Sequence, residues 1–211
     1  MYVPTHFAES GTEALHALIR AQPLATLVTM TADGLEANHI PMHLESAASR
    51  LGTLRGHVAR ANPVWRTFDP GVETLVVFTG VDAYVSPSWY ATKAVDGRVV
   101  PTWNYEAVHV YGRLRIVNDA GWLRDQLDAL TGQHESGFDA PWQIDDAPAE
   151  FIARLMQAIV GFEVEISRMV GKLKLSQNRS AADRAGVIAG LEAQFQGPGC
   201  PMAALIRQAS A

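Results

Sequence analysis

The octapeptide GHVARANP, residues 56–63, carries an imidazole (His57), a guanidinium (Arg60) and a carboxamide (Asn62) where a strand pattern gives way to a helix-opening Asn62-Pro63 pair. A strand that ends in donor side chains and runs into a helix start can seat a phosphate. Free backbone N–H groups point outward there, and Arg60 adds charge-assisted hydrogen bonds. The segment has neither Gly-x-x-x-x-Gly-Lys nor Gly-x-Gly-x-x-Gly, so a monophosphate suits it better than a triphosphate or a dinucleotide. An ordinary strand-to-helix turn capped by Asn62 would use the same residues.

A second stretch, SPSWYATKAVDGRVVPTWNYEAV, repeats itself: Pro87-Ser88-Trp89-Tyr90 is followed by Pro101-Thr102-Trp103-Asn104-Tyr105. Of the five tryptophans and five tyrosines in the chain it holds two of each, a concentration that calls for a physical reason. Single tryptophans are ordinarily core residues. Two in register, beside Ser86, Thr102 and Asn104, offer rigid flat surfaces with hydrogen-bonding edges to a planar polar heterocycle. A flat ring system with a monophosphate tail unites this stretch with the first, and flavin mononucleotide (FMN) is such a molecule.

Other polar residues are weaker candidates. His39 and His43 would lie about 13 Å apart if they shared one strand, too far for a single metal ion, which leaves His39 alone to hydrogen-bond a ligand. The row Tyr105, His109, Tyr111, Arg113 and Arg115 is too aromatic for an idle solvent face and is expected to meet a partner subunit in part. The one basic cluster, Arg168, Lys172, Lys174 and Arg179, reads first as a solvated strand-and-loop face. With a formal charge of −5 and no helix-turn-helix pattern, DNA binding by the whole surface is disfavoured.

Periodicity sets the elements that must position these residues. ESGTEALHALIRAQP reads as a helix with Ser10 or Thr12 as its cap, Glu13 as the capping-box acid and Pro23 as its stop. LATLVTMTADGLEANHIPMHLE is a hairpin about Ala32-Asp33-Gly34, with Ile40, Met42 and Leu44 on one face and His39, Pro41 and His43 on the other. LGTLRGHVARANPVW is a strand ending near His57 that becomes a short helix. ETLVVFTGVDAYVSP is apolar on both faces from Leu75 to Phe78, as in a buried central strand. In NYEAVHVYGRLRIV, Val108, Val110, Leu114 and Ile116 form the core row. Helices follow in NDAGWLRDQLDALTGQHE, with Asp119 at its start, and in AEFIARLMQAIV, across a loop that runs to residue 148. GFEVEISRMVGKLKL is a strand with Phe162, Val164 and Ile166 inward, and Ser180 with Asp183 caps a last helix to about residue 194. Gly and Pro interrupt the pattern at the start of the tail FQGPGCPMAALIRQASA.

Six or seven strands on short turns, with no strand-helix-strand rhythm, predict a mainly β, α+β protein. The expected architecture is a closed or nearly closed antiparallel barrel with peripheral helices, in one domain over 1–211. A composition of 48% hydrophobic and 18% charged residues fits a packed globular chain. A single cysteine, Cys200, and the lack of a leader or an apolar span predict a cytoplasmic protein with no membrane segment and no metal site.

TLRGHVARANPVW, VSPSWY, VPTWNYEAVHVYGRL and GKLKLSQNR occur in order and resemble the signature blocks of the PaiB-type FMN-binding negative transcriptional regulators. The resemblance runs from MYVPTHF to KLKLSQNR. It implies a split β-barrel related to pyridoxamine-phosphate oxidases and flavin reductases, and a homodimer with FMN at its interface. It further implies that His57, Arg60 and Asn62 hold the phosphate with His39 beside them, and that Ser86, Trp89 and Tyr90 border the ring system. Thr102, Trp103 and Asn104 would complete the pocket from the partner subunit, and Lys174, Gln177 and Asn178 form a family block of unplaced role. The function implied is negative regulation of transcription. An FMN-dependent oxidoreductase of the pyridoxamine-phosphate-oxidase-like or flavin-reductase-like class is the alternative, and a haem-binding relative using His39, His57 or His109 as axial ligand is a remoter one.

Overall fold

The computed structural model describes residues 1–210. Its strands are β1 (Ala8–Glu9), β2 (Leu24–Thr31), β3 (Gly34–Pro41), β4 (His43–Glu45), β5 (Thr53–Ala59), β6 (Thr74–Val85), β7 (Thr102–Val117) and β8 (Ile159–Lys174). The helices are α1 (Thr12–Ala21), α2 (Val64–Thr67), α3 (Lys93–Asp96), α4 (Ala120–Glu135), α5 (Ala149–Gln157), α6 (Ala181–Phe195) and α7 (Pro201–Gln208). The strands form one eight-stranded sheet in the order β3-β2-β6-β7-β8-β5-β4, with β1 on β8. Each register that is fixed, from β2 on β3 to β5 on β8, is antiparallel. The path ends at β3 and β4 without closing, so the expected closed or nearly closed barrel is an open antiparallel sheet. The chain divides into two compact units, one of residues 12–78 and 109–169 and the other of 1–11, 79–108 and 170–210.

The larger unit follows the periodicity closely. Leu54 and Val58 are buried on β5, and Phe162, Val164 and Ile166 on β8. Ala25, Leu27, Val76 and Phe78 complete the same core, and α1 adds Leu15 and Ile19. Asp119 caps α4 by accepting from the Trp122 N–H at 2.7 Å, one residue earlier than a first-turn acid would sit. Two expectations are corrected. Leu75 and Val77 are only half-buried while Val76 and Phe78 are buried, so this run of β6 alternates and is not enclosed on both faces. His39 and His43 lie on different strands, because the chain breaks at Met42: β3 pairs with β2, and β4 pairs with β5.

The smaller unit gathers Val85, Tyr90, Leu175, Val187, Leu191, Met202, Ala203 and Ile206 into a core of its own. The tail, whose pattern is interrupted by Gly and Pro, forms α7 with Pro201 in its first turn and Met202, Ala203 and Ile206 buried. Ser180 caps α6 by accepting from the Asp183 N–H at 3.2 Å, as the sequence predicts. Trp89 lies directly on α6. A Cβ at Gly190 would stand 2.3 Å from the Trp89 ring, and one at Gly186 would stand 2.0 Å from the Trp89 carbonyl oxygen. Both glycines are therefore space made for one indole segment.

Glycine in a helix interior ordinarily costs about 1 kcal/mol relative to alanine, so Gly186→Ala would stabilise α6 if propensity alone governed. The close approach of Trp89 reverses that sign: we expect a loss of about 1–3 kcal/mol, as in overpacked cores. A urea melt showing Gly186→Ala equal to or above the wild type in midpoint would refute the contact.

Candidate functional site

In the larger unit, β5 carries His57 to the end of the strand half-buried, and its imidazole meets Gln126 of α4. The His57 Nδ1–H donates to the Gln126 carbonyl Oε1 at 3.0 Å. Gln126 is 1% exposed, and its Nε2 has no partner among the described residues. Arg60 stands just beyond the strand. Its Nε donates to the Gln157 carbonyl at 2.9 Å, and one terminal nitrogen donates to the Ile159 carbonyl at 2.9 Å and to Asn118 Oδ1 at 3.3 Å. These bonds place the guanidinium at a cavity of about 360 Å³ whose walls include Leu123, Met156 and Val160. Asn62 accepts from the Val64 N–H at 2.9 Å, an Asx turn that leads into the single turn of α2, and donates to Asn38 Oδ1 at 2.8 Å. His39 shares a 3.0 Å hydrogen bond with Thr26 Oγ1 across the β2-β3 ladder. His109 of β7 is half-buried with its Nδ1 unpartnered, and burial lowers its pKa below the ordinary imidazole value.

In the smaller unit the two Pro-Trp segments have different fates. Ser86 accepts from the Ser88 N–H at 3.2 Å and opens a single 3-10 turn, Pro87–Trp89, whose indole is committed to α6. Tyr90 is buried beneath the Arg179 guanidinium, 4.5 Å from its ring centroid, and its hydroxyl has no partner. Trp103 instead is 54% exposed and packs edge-to-face on exposed Tyr84, ring centroids 5.9 Å apart. Its neighbours on β7 turn the other way: Asn104 is buried and donates to Ser176 Oγ at 3.0 Å, and Thr102 Oγ1 accepts from Lys174 Nζ. Gln177 bridges its own turn, accepting from the Leu175 N–H at 2.7 Å and donating to the Leu173 carbonyl at 2.5 Å. Asn178 is exposed.

His57, Arg60 and Asn62 thus lie at or just beyond the end of β5, each on partners of its own, with Asn38 linking Asn62 to the strand that carries His39. In the other unit the structure gathers Thr102, Asn104 and Lys174. Three residues outside the sequence-derived set matter here. Gln126 was hidden because it occupies a core position of an amphipathic helix, where a glutamine gives no signal of its partner. Thr26 and Asp183 likewise acquire their roles from residues remote in sequence. No group of three or more His, Cys, Asp or Glu that could hold a metal ion occurs among the described residues. No helix among them is long and apolar enough to cross a membrane.

Residues 1–168 match a family model described as "Putative FMN-binding domain". The chain is 32% identical over 192 residues to the protease synthase and sporulation protein PAI 2 of Bacillus subtilis, covering 91% of this chain and 89% of that one. It is 34% identical over 243 residues to the uncharacterized protein AN0679 of Emericella nidulans, covering 99% and 97%. Among solved structures it is similar to the FAD and heme binding protein from Mycobacterium smegmatis, at TM-score 0.59 and 18% identity over 87% of this chain and 80% of that one. It is also similar to the flavocytochrome Anf3 from Azotobacter vinelandii, at TM-score 0.53 and 16% identity over 87% and 78%. The last two are likenesses of fold.

Asp183 fixes the segment that carries Trp89 and Tyr90. Its Oδ1 accepts from the Thr92 N–H at 3.0 Å, and both oxygens accept from the Thr92 hydroxyl at 3.1 Å. The Thr92 N–H is the largest cause holding this carboxyl below its ordinary value, against the opposing effect of burial. A depressed carboxylate pKa contributes stability that is fully present above the unfolded value and is lost as pH falls through the folded one. Below about pH 4 the wild-type urea midpoint should therefore fall more steeply than that of Asp183→Asn. Parallel profiles for the two proteins would remove Asp183 from this role.

Proposed function

The chain belongs to this FMN-binding domain family, with FMN as its cofactor, and we propose that it works as a homodimeric flavin-bound regulator that lowers gene expression through a protein partner. The regulatory part rests on the resemblance of its ordered blocks to the PaiB type and on the Bacillus relative, whose name is protease synthase and sporulation protein PAI 2. The indirect route rests on the basic cluster. Arg168 stacks 3.6 Å from the Tyr111 centroid, Lys172 lies 5.1 Å from that of Tyr105, Arg179 covers Tyr90, and Lys174 donates to Thr102. Cations held on rings and hydroxyls do not project toward a duplex. Affinity for one comes from Lys and Arg that displace phosphate counterions.

The residues present fit FMN. His57, oriented through Nδ1 by Gln126, and Arg60, oriented by the Gln157 and Ile159 carbonyls, are cationic or polar donors suited to the phosphate, with Asn62 and His39 nearby in the hydrogen-bond network. The exposed Trp103 indole, held edge-to-face by Tyr84, offers a flat apolar face of the kind an isoalloxazine needs. Trp89 and Tyr90 are turned into their own core, so in this reading they serve the site by fixing the segment that carries Ser86 rather than by touching the ring system. Bound FMN supplies one- and two-electron redox chemistry.

Dimerisation is supported by apolar side chains that a lone chain leaves in water: Tyr84, Val95, Val100 and Trp103 are all exposed. The polar row of β7 contributes less than its sequence suggests, because Tyr111 lies under Arg168 and Arg115 pairs with Glu163 at 2.6 Å. In this reading Trp103 approaches the flavin of the partner subunit, whereas Thr102 and Asn104, turned inward onto Lys174 and Ser176, brace the strand that presents it. Sedimentation at micromolar concentration should show a dimer, and a monomer there would count against the shared site.

The second reading, an FMN-dependent oxidoreductase, is favoured by His109, a half-buried imidazole with an unpartnered nitrogen and a lowered pKa of the kind proton transfer uses. Adding NADH or NADPH to the FMN-loaded protein separates the two: bleaching of the flavin absorption supports the enzyme, and a stable spectrum supports the regulator. The phosphate assignment has its own test. Arg60→Ala should weaken FMN by about 1.5–3 kcal/mol and riboflavin much less, since only FMN carries the dianion. Equal weakening of both would mean that Arg60 only braces the fold.

A further inference from the structure

Three cations of the smaller unit stand close together, and none of them forms an ion pair within 4 Å with a carboxylate of the described residues. Lys172 and Lys174 are two apart on β8 and so share one face of the strand, roughly 7 Å from each other along it. Arg179 follows them past Ser176, whose φ of 63° turns the chain sharply. None of the salt bridges among the described residues involves any of the three. Their contacts are neutral: Lys172 Nζ donates to the Tyr2 carbonyl at 3.2 Å and faces the Tyr105 ring, Lys174 donates to Thr102, and Arg179 covers Tyr90. Asp183, the carboxylate whose charge Arg179 faces, has both oxygens on Thr92.

This arrangement is costly. Lys172 is only 9% exposed, and a lysine is seldom buried to that extent without an anionic partner. Burial, then the charges of Lys172 and Arg179, push the Lys174 pKa below its ordinary value. The one acidic group whose charge reaches the cluster, Asp183, directs its hydrogen bonds to Thr92 and leaves most of the positive charge unpaired. The surrounding groups make the corner rigid instead: Gln177 bridges Leu173 and Leu175, and buried Asn104 pairs with Ser176.

We propose that Lys172, Lys174 and Arg179, with the Thr102 hydroxyl, form an oxyanion site that takes a phosphate-monoester dianion. Two negative charges would offset most of three positive ones. Thr102 Oγ1 accepts from Lys174, and its own hydrogen is free to donate to a phosphate oxygen. Gln177 and Asn104 are positioning residues that hold the turn. All three cations lie beyond residue 168, where the match to the family model ends. The dianion has two sources, the tail of FMN or the phosphate of a second ligand. Only the first rests on the FMN reading above.

Inorganic phosphate is the probe, followed by calorimetry and by 31P line broadening, on wild type, Lys174→Gln and Arg179→Gln, with and without saturating FMN. Urea midpoints confirm that each variant is folded, and the second serves if the first is not. We expect saturable phosphate binding to the wild type, weakened about tenfold or more in each variant. If phosphate binding survives saturating FMN, the site serves a second ligand. If FMN displaces phosphate, and the variants weaken FMN but not riboflavin, the site holds the FMN tail. An absence of saturable phosphate binding, together with an unchanged FMN-to-riboflavin ratio in both folded variants, overturns the proposal. A wild type that binds phosphate but not FMN would instead overturn the flavin reading and leave this one standing.

Discussion

A polar group withdrawn from water must be paired, and both units are organised by that constraint. The donors best suited to an anion each have a neutral partner: His57 has Gln126, Arg60 has the Gln157 and Ile159 carbonyls, and Lys174 has Thr102. Such partners orient a side chain without cancelling its charge. A carboxylate in the same place would orient it too, but would compete with any anionic ligand. The arrangement leaves these donors oriented and their positive charge largely uncancelled.

The aromatic segments show how packing divides residues that look equivalent in sequence. The Ser88-Trp89 pair follows a proline, and so does the Thr102-Trp103 pair, yet only Trp89 meets a helix with glycines at 186 and 190. The bare backbone there lets the indole close the core formed by α6, α7 and Tyr90. Trp103 lies on a strand whose neighbours, Thr102 and Asn104, point to the inner face, and alternation therefore sends its ring outward to Tyr84. One tryptophan stabilises its unit, and the other is left to meet something outside the chain.

Membership of an FMN-binding family, a split-barrel-type fold similar to known flavoproteins and cations seated on aromatic rings are mutually consistent. A guanidinium or ammonium over a ring keeps its charge while losing reach. That suits a small ligand carried to the site, and it suits an extended polyanion poorly. A regulatory role for such a protein is better served by a partner that senses the flavin-bound form than by direct contact with a duplex.

Periodicity alone located most of the elements and many of their buried faces. Alternation located the buried rows of β5 and β8, Ser180 marked the start of α6, and the ordered blocks identified the flavin-binding family. The sequence also singled out His57, Arg60 and Asn62 as candidates, because donor types at a strand end are a local pattern. What it did not reveal was the break at Met42 that separates His39 from His43, the open sheet, the helix in the tail and the partner of each polar group. Those depend on distance in space. Gln126 lies 69 residues from His57, and Ser176 lies 72 from Asn104, so no local rule could join them. Periodicity records which face of an element avoids water, whereas a hydrogen-bond partner is chosen only when the folded chain brings two remote side chains within about 3 Å.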